Sequence, residues 1–61
     1  MKLEALLKVT NEHTVVNVMD YNTGKVISTY DGKNSIDPAL NEKEVVLQMI
    51  MNGQLYIEII M

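Results

Sequence analysis

Residues 45 to 60 read VVLQMIMNGQLYIEII, from Val45 to Ile60. Asn52-Gly53 divides this stretch into two apolar runs. Asn-Gly between such runs is the strongest short-range hairpin signal, because a type I′ turn needs positive φ at both central residues. Val45-Val46 adds β-branched residues that favour a strand. A rival reading exists. Asp37-Pro38 is a good helix start, a capping acceptor followed by proline at the first helical position. A helix from Pro38 to Met51 could then end on Asn52-Gly53 as its C-terminal cap. The hairpin is the preferred reading, with a single turn at Pro38 to Asn41. Whether residues 42–51 form strand or helix decides the fold.

A two-residue loop sets the pairing. Met51 faces Gln54, Ile50 faces Leu55, Met49 faces Tyr56, Gln48 faces Ile57, Leu47 faces Glu58 and Val46 faces Ile59. Side chains alternate between faces. One face then collects Val46, Gln48, Ile50, Leu55, Ile57 and Ile59. The other collects Val45, Leu47, Met49, Met51, Tyr56 and Ile60, with Gln54 and Glu58. Both faces are mostly apolar, whereas a half-exposed antiparallel sheet has one polar face.

Upstream, Thr14 to Asp20 and Lys25 to Tyr30 read as strands joined at Tyr21-Asn-Thr-Gly24. Gly24 suits the bulge position of a type I turn. Val16, Val18, Val26 and Tyr30 are expected on one face, and Val15, Met19, Tyr21 and Ile27 on the other. Met1 to Lys8 uses strong helix formers. Leu3, Leu6 and Leu7 fall at i, i+3, i+4, so a two-turn helix is predicted. The alternation of Leu3, Ala5, Leu7 and Val9 is its strand rival. The expected architecture is therefore α+β. It is one domain over 1–61, with a short N-terminal helix on two antiparallel hairpins, as a small sheet or a barrel-like closure.

The chain has 61 residues and no Cys. So short a chain buries only about 60% of its unfolded surface, and small domains often need disulfides, a metal or an oligomer. Without Cys there are no disulfides, and one His leaves no zinc ligand set. A single short helix covers one sheet face, so the other needs either more chain or a second subunit. Met and Ile on a sheet are core more often than interface. The case for a homo-oligomer, a dimer first, rests on there being too little chain to bury them all. The expected contact residues are Val45, Leu47, Met49, Met51, Tyr56 and Ile60, where Met suits adaptable contact.

Eight acidic and five basic residues give a net charge of -3, and every basic residue is Lys. That argues against nucleic acid and anionic membranes, which attract clustered Lys and Arg. No apolar run approaches the roughly 20 residues of a membrane span. Lys2, Glu4 and Lys8 interrupt any signal-peptide core. A cytoplasmic location is the expectation.

No catalytic constellation stands out. Gly24-Lys25 and Gly32-Lys33-Asn34 lack the spacing and the Ser or Thr of a phosphate loop. His13 beside Glu12 reads as a solvated loop. The acidic residues are scattered without calcium-loop spacing. No cofactor is implied, and the expectation is a non-enzyme. Lys25, Tyr30 and Lys33, near the glycine turns, are the candidate contacts for a second possibility, an oligomer that sequesters a nucleotide-like ligand.

Leu3 to Leu7, Val16 to Val26, Leu40 to Val45 and Leu55 to Ile59 together cover most of the chain. Their pattern resembles that of short uncharacterised proteins carried by phages and prophages of Gram-positive bacteria. Those read as an N-terminal Leu-rich turn, a v.v.d..tG.v hairpin and a closing l..keV..i...g.L.I.I. No catalytic residue carries over. The resemblance implies a phage accessory protein that binds and blocks a host protein, including anti-defence inhibitors.

Overall fold

A computed structural model describes residues 1–61. The elements are α1 (Leu3–Lys8), β1 (Val16–Asp20), β2 (Val26–Tyr30), a 3-10 turn (Pro38–Leu40), β3 (Val45–Met51) and β4 (Gln54–Ile59). The fold is α+β, one short helix with a four-stranded mixed sheet in the order β2-β1-β4-β3. Strands β1 and β2 pair antiparallel, as do β3 and β4. The two pairs join through β1 and β4, which run parallel. The sheet is open, with β2 and β3 at its edges, so the barrel-like closure does not form.

The helix stretch after Pro38 lasts one turn. Asp37 accepts the Ala39 N–H at 3.0 Å and caps it. Asn52 (φ 52°) and Gly53 (φ 75°) then form the tight turn between β3 and β4. Positive φ at both positions is the I′ geometry. Residues 45–51 are therefore strand.

The predicted register holds from Met51↔Gln54 to Leu47↔Glu58 and then shifts. A bulge lies between Val45 and Leu47, so Val45 rather than Val46 stands opposite Ile59. One extra residue reverses the alternation. Val45, expected on the second face, packs against the core. Val46, expected on the first, is 41% exposed. The backbone of Met1–Leu3 runs along this end of β3: Leu3 N donates to Lys43 O at 2.9 Å, and Val45 N to Met1 O at 2.8 Å. The first hairpin has the same feature. A shift between Val18 and Met19 puts Val26 opposite Met19, so Val26 is exposed instead of joining Val16 and Val18.

The core contains Leu3 and Leu6 of α1, Val16 and Val18 of β1, Leu55, Ile57 and Ile59 of β4, and Leu40. Leu7, Tyr30, Ile36 and Val45 pack around it. The helix has no side-chain cap. Instead Leu3 N and Glu4 N donate to Lys43 O and Asn41 O, which satisfies donors that every helix start leaves free. Six residues of helix span about 9 Å. That does not reach the turn end of β3, so Ile50, expected beneath the helix, is 77% exposed, and Gln48 is exposed too.

Candidate binding face

The side of the sheet away from α1 has no element over it. The registers arrange it in rows. Thr29, Asn17, Tyr56 and Met49 lie across the strands in one row, and Val26, Met19, Glu58 and Leu47 in the next. Gln54 and Met51 close it at the turn. None of these residues is among the buried core. Val26, Leu47 and Met51 are exposed, and Met19, Met49 and Tyr56 are half-buried.

A polar line crosses this apolar surface. Asn17 Nδ2 donates to Gln54 Oε1 at 2.9 Å, and Thr29 Oγ1 donates to Asn17 Oδ1 at 3.4 Å. These bonds give each end of the Asn17 amide a protein partner. Glu58 is the only carboxylate in the rows, set between Met19 and Leu47. The face is thus a Met-rich apolar surface with one negative charge, on the inner strand β4 in the row farthest from the turn.

Of the residues expected here, Leu47, Met49, Met51 and Tyr56 do fall in these rows. Ile60 lies just past β4, exposed, with its N–H donated to Glu44 O at 3.1 Å. Val45 belongs to the core side, as above. Val26, Asn17 and Thr29 had no place in the sequence-based set. A β-bulge and a parallel strand pairing put them there, and neither has a local sequence signature.

The candidate ligand contacts do not gather. Lys25 precedes β2, while Tyr30 and Lys33 lie at or beyond its far end. Five strand residues separate the two by about 17 Å. The Tyr30 hydroxyl donates to Glu12 O at 2.9 Å, and its side chain packs against the core. The groove beside Tyr30 has a volume of about 320 Å³ and is lined by Leu7, Thr10, Asn11, Glu12, Val16, Ile36 and Asn41. Its one charged side chain is acidic, which opposes a phosphate. His13 Nε2 lies 3.8 Å from Glu12 Oε1 with both side chains exposed. No three His, Asp or Glu side chains gather in a metal-binding arrangement. No helix is long and apolar enough to cross a membrane.

No protein-family model, curated protein or solved structure matches this chain.

Proposed function

We propose that this chain is a non-enzymatic binding protein, encoded by a phage or prophage, that self-associates and inhibits a host protein in the host cytoplasm. The observation that carries the reading is the sheet face around Met19, Tyr56 and Met49, which has no helix over it. The largest contiguous apolar patch on a soluble protein, typically a few hundred Å², is often a contact surface. Unbranched Met side chains adapt to a partner's relief. Glu58 gives the contact a sign: the partner surface that fits is apolar and presents one Lys or Arg. The resemblance to phage accessory proteins supports the choice of a host target.

The test uses Met19→Lys. Met19 stands beside Glu58 on a central strand. An opposite-charge cross-strand pair is tolerated in a sheet, so the variant keeps its fold while losing both the apolar contact and the free charge. The immobilised native chain is challenged with bacterial lysate, and a retained protein is then assayed with purified chain added. The expected result is inhibition of that protein by the native chain, and at least tenfold weaker binding by Met19→Lys. Equal binding by the variant, or an unaffected activity, overturns the proposal.

A further inference from the structure

We infer that the outer edge of β3 is the seam of a homodimer, in which Leu47–Met51 pairs antiparallel with the same segment of a second copy. The inference rests on the reading of the chain as a self-associating binding protein, and names the surface that associates.

The sheet has two edges, and they differ. Strand β2 has five residues and a register shift, and the following loop returns to it through Asp37 N, which donates to Ser28 Oγ at 3.1 Å. Strand β3 has seven residues. Its start is occupied by Met1–Leu3, through the hydrogen bonds to Lys43 and Val45 and the Lys2↔Glu44 bridge. Beyond Val45 that cover ends. Natural edges are blunted by charge, proline or a bulge. Val46 to Met51 contains neither charge nor proline, and the bulge lies at its beginning.

The ladder decides which groups are free. Met51 and Gln54 flank a two-residue turn, so they exchange hydrogen bonds, and alternate residues of β3 turn away from β4. Gln48 and Ile50 therefore direct N–H and C=O outward, where no strand lies. A two-fold axis at Met49 places Gln48 opposite Ile50 of the second copy, and these residues exchange their bonds across the seam. Leu47 then meets Met51, and Met49 meets itself. Ile50, 77% exposed in one copy, gains Gln48 of the second copy as a cross-strand neighbour.

A second copy fits this edge for three reasons. The pairing is isologous, and the shortened, bulged β2 edge does not propagate it, so assembly closes at two. The chain carries a charge of -3, but the seam is neutral. The two Glu58 side chains stay three strand spacings or more apart, beyond about 14 Å, which exceeds the Debye length at physiological salt. Finally, one face of four strands is a patch of roughly 400 Å². A stable protein contact takes about 800 Å² on each partner. Joined at β3, two sheets offer the host protein one continuous face of that size, which a single copy does not.

The experiment combines native mass spectrometry of the unaltered chain across concentration with amide exchange and one cysteine variant. A dimer is expected, with the Gln48 and Ile50 amides protected at least tenfold more in the dimer than in the monomer. Met49→Cys supplies the only thiol. Facing Cα atoms of an antiparallel non-hydrogen-bonded pair lie about 4.5 Å apart, inside the range a disulfide spans. It should form a covalent dimer on mild oxidation, while Thr29→Cys, toward the β2 edge, does not. Ile50→Pro removes an outward N–H and none from the β3–β4 ladder. It should remain folded by circular dichroism and be monomeric. A monomer at all concentrations overturns the inference. So does a dimer whose Gln48 and Ile50 amides exchange as freely as in the monomer. Met19→Lys lies away from the seam, so loss of host binding and loss of the dimer are read separately.

Discussion

Asn17 and Gln54 are 37 residues apart in the chain, yet the Asn17 amide donates to the Gln54 side chain at 2.9 Å. The bond crosses the one parallel joint of the sheet, between the strand that begins one hairpin and the strand that ends the other. It also leaves the Asn17 side-chain oxygen Oδ1 to accept from the Thr29 hydroxyl on the opposite side. One side chain thus ties three strands.

Asn17→Ala should cost about 1 kcal/mol, the usual net worth of such hydrogen bonds. In a domain of this size that lowers the thermal midpoint by roughly 4–8 °C. The check is a double-mutant cycle with Gln54→Ala by urea unfolding. A coupling near zero would mean the bond contributes nothing to joining the hairpins.

The two neighbouring valines of β3 should behave differently. Val45 packs against the core and stands opposite Ile59, whereas Val46 is exposed at the bulge. Val45→Ala should cost on the order of 1 kcal/mol through lost apolar burial. Val46→Ala should stay within about 0.5 kcal/mol, as surface changes do. Denaturant midpoints of the two variants decide it, and the reverse ranking would place the strand in the unbulged register.

Gly53 holds φ 75° with open space where a Cβ would stand. The cost of Gly53→Ala is therefore backbone strain alone, about 1 kcal/mol. The variant should unfold earlier in urea with an unchanged m-value. Full stability would contradict the I′ turn.

Acid should weaken the fold through Asp31 and Glu44. Asp31 Oδ1 accepts from Asn34 N at 2.8 Å and from Lys33 N at 3.0 Å. These bonds, the one from the Asn34 backbone foremost, hold its carboxyl below the ordinary range. Glu44 is lowered by its hydrogen bond to the Met1 ammonium at 2.7 Å and by the charge of that group. A carboxyl depressed in the folded state contributes stability above its unfolded pKa, near 4, and loses it as pH falls through the folded value. The thermal midpoint should be flat from about pH 6 to 5 and drop below about pH 4. Asp31→Asn, which keeps an acceptor oxygen, should shrink that drop. An identical acid profile for the variant would exclude Asp31 as a contributor.

Much of the local structure is readable from short stretches of sequence. Asn52-Gly53 specifies its turn because both residues tolerate positive φ, and a two-residue loop fixes the register beside it. Asp37-Pro38 specifies a helical start, and Leu3, Leu6 and Leu7 specify a helical apolar stripe. Each signal is carried by residues that touch one another along the chain. Four members of the binding face, Leu47, Met49, Met51 and Tyr56, followed from that register.

The rest depends on contacts between distant segments. Strands that are apolar on both faces have no period-2 signal to say which face is covered, and none to say which strand is the neighbour. Packing decided that β1 lies parallel to β4, and so placed Asn17 beside Tyr56 and Met19 beside Glu58. Two bulges then exchanged Val45 with Val46 and turned Val26 outward. The sequence by itself determined the turns, the strands and the α+β class. Only the tertiary structure decided which apolar side became core, because α1 is long enough to cover one face and its free N–H groups dock on residues 41 and 43.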